Sequence, residues 1–388
     1  MVMEAATRQR YLVISNGHGE DAIGAALVRR LTPQALVEAY PMIGSGKAYE
    51  GACRIVGPRA SLASEGWRNV KGSLRRDIVN GGLLTVPPAL KFLRSVRGHY
   101  DKTIVIGDMV GVLAALPTGL RDLIYLDVYK TGAARLYSPA EVWAIRKTCR
   151  TVFCRADSLA EKLRAAGVDA RCAGNIMMDA IPHGVYDAMA RRRAPLAVTL
   201  LPGSRALTAE SFALQIAALR LIPEDDRPDI FLAVAGSVNV EELAKAASLR
   251  RTALLSIESD DLGELSDGNL TVHMARGIAM GNLVEASDLV LSQAGTATIQ
   301  SLGLGRPAIT FINPRDRRSR FDDEQNLFGP ARTVTEAKAA DVAQALRELL
   351  TNSAERMRLA EIGRDRIGGP GAMDAIVAEI TAPATPES

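Results

Sequence analysis

The chain has 388 residues, of which 47% are hydrophobic and 23% charged. This composition excludes fibrous and disordered classes, and at roughly 150 residues per domain it predicts two or three domains. Lys and Arg (47) nearly balance Asp and Glu (44), leaving a formal charge of +3, so nucleic acid is not an expected partner.

The four cysteines, Cys53, Cys149, Cys154 and Cys172, form no C-x-x-C pair. Neither a disulfide framework nor a structural zinc site is signalled, which fits a reducing compartment. No apolar run reaches the roughly 18 residues of a membrane-spanning helix. The first ten residues (MVMEAATRQR) lack the apolar core of a secretory signal, so a cytoplasmic protein is expected.

In chain order, residues 11–15 (YLVIS) read as a buried strand, 16–20 as a Gly-rich turn and 21–31 as a helix. Further strands are expected at 103–106, 123–126 and 151–154, each followed by a helical segment. Parallel strands need crossovers, so this alternation predicts a doubly wound sheet with its ligand crevice at the carboxyl ends of the strands. Between 181 and 195 the pattern breaks at Pro-His-Gly, three arginines (191–193) and Pro195, as in an interdomain linker. A second series follows, with strands expected at 196–201, 230–234, 252–255, 270–273, 288–292 and 308–311. Helices are expected at 336–350, 354–366 and 372–380, the last after a Gly-Gly-Pro-Gly break. The fold class is therefore α/β with two doubly wound Rossmann-like domains. The expected boundaries are 1–185, a linker at 186–195, a second domain at 196–366, and at 367–388 a helix and tail that cross back to the first domain.

Two turns of the second half suit an anion. Residues 200–205 (LLPGSR) join a strand to a helix, so Gly203, Ser204 and the helix N-terminus can face a phosphate while Arg205 adds charge. An ordinary βα turn with a solvated arginine is the alternative. Residues 292–300 (SQAGTATIQ) form a similar turn: Gly295 permits close backbone approach, Thr296 can cap, and Gln300 lies one helical turn on, within reach of ribose hydroxyls. A capped core helix with Gln300 exposed is its alternative. The run 322–326 (DDEQN), with Asp323 and Gln325, either grips sugar hydroxyls or is a solvated acidic helix start.

In the first half, Asn16-Gly17-His18-Gly19-Glu20-Asp21 places polar, titratable groups at the end of the first strand. His18 can take a proton from an attacking hydroxyl, and Glu20 or Asp21 can do the same or orient it. Asp21 as a helix cap and His18 as a surface turn residue is the competing reading. Asp108 ends another strand and is a second base candidate or a helix N-cap; Asp127 is a weaker one. Residues 81–93 (GGLLTVPPALKFL), flanked by Arg75, Arg76, Lys91, Arg94 and Arg97, suit either a membrane surface or a core helix. His99, His183 and His273 show no metal-ligand spacing and there is no D-x-D motif, so no metal is expected.

Together these motifs resemble lipid-A-disaccharide synthase and its related proteins. Residues 17–27, with Asp21, Gly24, Ala25 and Leu27, are similar to that family's first loop and helix. Residues 139–146 (PAEVWAIR) resemble its S-P-S-V-W-A-W-R, 174–179 its G-H-P-L-x-D, 201–205 its L-P-G-S-R and 295–300 its G-T-A-T-L-E. Three departures stand out: Gln300 replaces an acid, G-I-D-A-P-D-F-N is reduced to Gly107-Asp108, and 16–20 differs from G-E-x-S-G. The His18 turn is similar to the Gly-Gly-His loop of the peptidoglycan GlcNAc transferase, and Asp323 and Gln325 loosely resemble that enzyme's D-x-x-Q region.

The resemblance implies a GT-B glycosyltransferase without metal or cofactor. Its UDP-sugar would be bound in the second domain by Gly203, Ser204, Arg205, Gly295, Thr296, Gln300, Asp323 and Gln325. A lipid-linked or amphiphilic acceptor would lie by Asn16, Gly17, Gly19 and Asp21, with His18, Asp108 or Glu20 as base. Peripheral contact with the inner membrane surface would follow. Some sugar-nucleotide epimerases share the architecture, so an epimerase and a non-catalytic binding protein stay open as alternatives.

Overall fold

The computed structural model describes residues 8–60, 82–133, 135–203, 207–252, 259–313 and 318–382. The chain divides into two compact units. The first comprises Met1–Ala180, Arg317–Asp323 and Pro370–Ser388; the second comprises Ile181–Asp316 and Glu324–Gly369.

The first unit holds a seven-stranded sheet: β1 (Arg10–Ser15), β2 (Leu36–Pro41), β3 (Arg54–Ile55), β4 (Lys102–Gly107), β5 (Leu123–Asp127), β6 (Cys149–Phe153) and β7 (Asp169–Arg171). All pairings are parallel, in the order β3-β2-β1-β4-β5-β6-β7. The central strands are buried along almost their whole length, as a sheet covered on both faces requires. The helices of this part of the chain are α1 (His18–Leu31), α2 (Val86–Ser95), α3 (Met109–Ala115), α4 (Pro139–Thr148), α5 (Asp157–Ala165) and α6 (Ile176–Asp179). Helix α4 starts where it does because Ser138 and Glu141 form a reciprocal capping box with Pro139 at the first helical position.

The second unit holds β8 (Ala197–Leu201), β9 (Asp229–Val234), β10 (Arg250–Arg251), β11 (Asp261–Ser266), β12 (Thr271–Arg276), β13 (Leu289–Ser292), β14 (Ala308–Ile312) and β15 (Arg332–Glu336). Their order is β10-β11-β12-β9-β8-β13-β14-β15. The β10–β11 and β11–β12 pairs are antiparallel and the others parallel. Its helices are α7 (Thr208–Arg220), α8 (Val240–Ala247), α9 (Met280–Glu285), α10 (Thr296–Gly303), α12 (Ala339–Thr351) and α13 (Ser353–Ile367), while α11 (Arg318–Phe328) straddles the division between the units. Each unit has its own apolar core, one around Leu12, Val105 and Tyr125, the other around Val198, Leu232 and Leu291.

The final helix, α14 (Ala372–Thr381), belongs to the first unit. Asp179, at the end of α6, caps it by accepting from Gly371 N (2.8 Å) and Met373 N (3.0 Å). At its other end Lys102 Nζ donates to the carbonyls of Ile380 (2.5 Å) and Ala382 (2.9 Å).

Residues 186–195, expected as a linker, are fastened to the second unit. Tyr186 is buried there, Arg191 pairs with Asp261 (2.7 Å), Arg192 with Asp288 (3.1 Å), and Arg193 N donates to Asp229 (2.7 Å). The arginine run read as part of a linker therefore makes two ion pairs and a backbone bond to carboxylates at the starts of β9, β11 and β13. Strands β2, β3, β7, β11 and β15 are additions to the sequence reading. Of the strand expected at 252–255 only Thr252 is described; it follows β10, which ends at Arg251, and 253–255 lie outside the described residues.

Candidate functional site

Both sheets place the strand order 3-2-1-4-5-6 at their centre, with a switch point where successive crossovers leave in opposite directions, and ligands of such sheets bind there at the carboxyl ends of the strands. In the first unit the switch lies between β1 and β4. The turns that follow these strands carry Asn16 to Asp21 and Asp108, so residues about 90 apart in sequence meet. Asn16 Nδ2 donates to Asp108 Oδ1 (3.0 Å). The same oxygen accepts from Val110 N (2.9 Å), which makes Asp108 the N-cap of α3. The capping role and the site role thus coexist, with the second carboxylate oxygen left over.

Glu20 is packed between two glycines. A Cβ on Gly17 would stand 2.5 Å from Glu20 Oε2, and one on Gly107 would stand 3.2 Å from the Glu20 carboxyl carbon. Gly107 has φ of 136°, a conformation that also favours glycine. Burial, with Asp108 and Asp21 adding to it, pushes the Glu20 carboxyl up to about 8. At neutral pH it is mainly the protonated acid, which suits donating a hydrogen bond better than taking a proton.

Asp21, expected to line the acceptor side, instead points into the unit. It is 1% exposed and accepts from Ser15 Oγ (2.6 Å), which in turn accepts from Tyr49 OH (2.8 Å). Nor does it cap α1, whose N-cap is Gly17 without a side-chain bond. Gly19 is exposed at the start of α1. The side chain of His18 lies outside the described residues.

In the second unit the switch lies between β8 and β13. Gly203, with φ of 98°, lies in the first turn, and a Cβ there would stand 3.8 Å from Gln293 O of the second. The two turns are joined by Gln293 N donating to Leu201 O (2.9 Å). Within the second turn Ser292 Oγ and Thr298 Oγ1 are 2.6 Å apart, and Ala294 N donates to Ser292 Oγ (3.2 Å). Gly295 is the N-cap of α10 and offers no side-chain cap, while Thr296 is exposed in its first turn. Ser204 and Arg205 lie outside the described residues.

Three donor-side expectations are changed by packing. Gln300 is 4% exposed on the inner face of α10 rather than open to a ribose. The Gln325 amide is used internally: Nε2 donates to Gly329 O (2.9 Å) and Arg332 O (3.2 Å), and Oε1 accepts from Arg332 Nε (2.8 Å). Asp323 falls in the first unit, 3.6 Å from Arg135.

A further cluster at the ends of β5 and β6 was largely unread in the sequence. Asp127 is buried and accepts from the hydroxyl of Tyr137, from Tyr129 N (2.9 Å) and from Lys130 N (3.0 Å). Burial outweighs these bonds and raises its carboxyl above the usual range. Arg155, two residues past β6, is pulled down to about 10 by burial, with Asp127 opposing and Arg135 reinforcing the shift. A lone arginine in a βα turn carries no sequence signal of its own.

No protein family and no curated protein matches this chain by sequence. Solved structures match it along its length. Acinetobacter baumannii MurG is 16% identical with a TM-score of 0.56, over 96% of this chain and 99% of that one. The S. aureus MnaA–UDP structure is 15% identical with a TM-score of 0.58, over 96% of both chains. The spinosyn rhamnosyltransferase SpnG, complexed with thymidine diphosphate, is 14% identical with a TM-score of 0.55, over 96% and 100%. The rhamnosyltransferase SpnG and a UDP-N-acetylglucosamine 2-epimerase (14% identical, TM-score 0.56, over 96% of both chains) are thus both among the structures it resembles. With two Rossmann-like, mainly parallel sheets in one chain and this set of structural neighbours, the protein has the GT-B fold.

Proposed function

We propose that the protein is a glycosyltransferase that moves a sugar from a UDP-sugar to a hydroxyl of a lipid-linked or amphiphilic acceptor, without a metal ion. The observation that carries this reading is the contrast between the two switch points. That of the second unit is built from glycine turns and an uncapped helix N-terminus. That of the first gathers Asn16, Glu20 and Asp108. Backbone N–H groups at Gly203, Gly295 and Thr296, with Ser204 and Arg205, would stabilise the departing diphosphate; one preorganised donor of this kind is worth about 3 kcal/mol.

On the first unit the free oxygen of Asp108, or His18, would accept the proton of the attacking hydroxyl. Glu20, carrying its own proton, would donate a hydrogen bond to the acceptor. Inversion at the anomeric carbon follows if no second nucleophile intervenes. UDP bound by MnaA and thymidine diphosphate bound by SpnG support a nucleoside diphosphate as the leaving group. The resemblance to lipid-A-disaccharide synthase supports an amphiphilic acceptor met at the membrane surface. No helix among the described residues is long and apolar enough to cross a membrane.

Calorimetric titration with UDP tests the donor class, and Arg205→Ala should weaken binding; a chain that ignores UDP ends the reading. A sugar-nucleotide epimerase is the second reading, favoured by the match to UDP-N-acetylglucosamine 2-epimerase. Incubation with UDP-GlcNAc alone separates the two, because only an epimerase consumes it without an acceptor.

A further inference from the structure

The Asn16 side chain is only half satisfied. Its Nδ2 donates to Asp108 Oδ1 (3.0 Å), while its Oδ1 is sealed from solvent with no hydrogen-bond partner. A buried carbonyl oxygen without a donor costs free energy comparable to what the amide's one bond returns, so Asn16 adds little net stability. Turning the amide over would set its oxygen against Asp108 Oδ1, two acceptors face to face. What the amide does secure is Asp108: Oδ1 accepts from Asn16 Nδ2 and from Val110 N (2.9 Å) at once, and two N–H groups converging on one oxygen mark it as an acceptor and keep a proton off it. Glu20 is treated in the opposite way. Its carboxyl is wedged between Gly17 and Gly107, the chain neighbours of Asn16 and Asp108, and among the described residues no hydrogen-bond donor and no cation reaches it. The other titratable groups that face the pair are Asp21, Tyr49, whose hydroxyl donates to Ser15 Oγ (2.8 Å), and Tyr125, whose hydroxyl donates to Gly107 O (3.2 Å). None of them supplies a positive charge, and the side chain of His18 lies outside the described residues.

We propose that Asn16 is a positioning residue that divides the roles of the two carboxyls, keeping Asp108 the proton acceptor and leaving Glu20 the hydrogen-bond donor. Burial, reinforced by the charges of Asp108 and Asp21, lifts Glu20 to about 8, which fits this division. Two carboxyls set next to each other by the ends of β1 and β4 thus differ because one is given N–H donors and the other none, and environments that push two such groups apart assign an acid and a base. Naming Asp108 the base of a sugar transfer rests on the transferase reading; the division between the two carboxyls does not.

Infrared difference titration of the full chain tests this, because the carbonyl stretch of a protonated carboxyl is assigned by the substitution that removes it: Glu20→Gln for one group, Asp108→Asn for the other. In wild type at pH 7 the Glu20 signal should be present and the Asp108 signal absent. In Asn16→Ala, Asp108 should bind its proton about tenfold more tightly, the value of one charge-assisted hydrogen bond, while urea unfolding shows stability unchanged. In Asn16→Asp, which exchanges the donor for an acceptor, the cluster should hold one proton more than wild type at pH 5; this variant carries the comparison should Asn16→Ala not fold. An Asp108 signal that neither substitution moves, or a wild type with Glu20 ionised at pH 7, overturns the proposal. Lost stability with unmoved titrations would overturn it too, since that is the signature of an amide with a structural role only. UDP affinity, measured calorimetrically on the same proteins, should be equal in wild type and Asn16→Ala. A chain whose carboxyls divide as stated but which ignores UDP sinks the transferase reading alone; one that binds UDP with undivided carboxyls sinks this proposal alone.

Discussion

Asn16 Nδ2 donates to Asp108 Oδ1 at 3.0 Å, tying together the turns that follow the two strands flanking the first switch point. Because Asp108 Oδ1 also caps α3, the carboxylate is held from two sides through that one oxygen. Asp108→Ala is expected to lower turnover by about 100-fold or more, the range of a lost general base. It should also cost about 1 kcal/mol of stability through the lost cap. Paired rate and denaturation measurements check this; a variant that loses stability but keeps its rate would leave Asp108 a cap only.

Glu20 gives the protein a pH signature. Its carboxyl is raised from 4.5 to about 8, so between these values the folded state holds a proton that the unfolded chain has released. Stability from this group is therefore full below about pH 4.5 and declines as pH rises through about 8. Glu20→Gln, which keeps the neutral shape, should match wild type at pH 5. At pH 9 it should be more stable by an amount on the order of 1–3 kcal/mol. Thermal melts across this range decide, and a difference that does not change with pH contradicts the buried-acid assignment.

Gly107 combines a φ of 136° with contact against the Glu20 carboxyl. Gly107→Ala is expected to cost about 1–3 kcal/mol from backbone strain and displacement of Glu20. Gly19, whose Cβ would meet nothing within 4 Å, is the control: Gly19→Ala should be neutral or slightly stabilising in urea unfolding.

Asp179 accepts from the N–H groups of Gly371 and Met373 at the start of α14. Asp179→Ala should loosen α14 at a cost of about 1–2 kcal/mol. Hydrogen exchange would show faster labelling of 371–376 than of β1; equal protection would mean that apolar packing alone holds the helix.

Helix α2 and the turn before it expose Leu84 (78%) and Val86 (46%), followed by the exposed Lys91, Arg94 and Arg97. If this face meets anionic lipid, the protein floats with anionic vesicles, and Leu84→Asp or added salt releases it. Absence of flotation would withdraw the membrane proposal. Arg75 and Arg76, which the sequence groups with this face, lie outside the described residues.

The strands visible in the sequence were those buried on both faces. YLVIS of β1 and AVTLL of β8 are continuous apolar runs, because covered parallel strands have no solvent side to pattern. The unseen ones lie toward the sheet edges or alternate: β11 reads DLGELS, with buried and half-buried residues in turn, and β15 reads RTVTE. Their polar residues are paid for by neighbours that no local window contains, such as Glu324 and Gln325 on Arg332.

Strand, turn and helix signals in sequence were enough to establish two α/β series and to point to the turns that carry Gly203, Gly295 and Asp108, because a glycine at a positive φ, as at Gly203, and a carboxylate at a helix start are local requirements. Partnership was decided only by tertiary structure. It turned Asp21 and Gln300 inward, engaged the Gln325 amide on the carbonyls of Gly329 and Arg332, and raised the Glu20 carboxyl. Burial and charge pairing depend on groups brought together across the sheet, and a residue's own neighbourhood in the chain does not contain them.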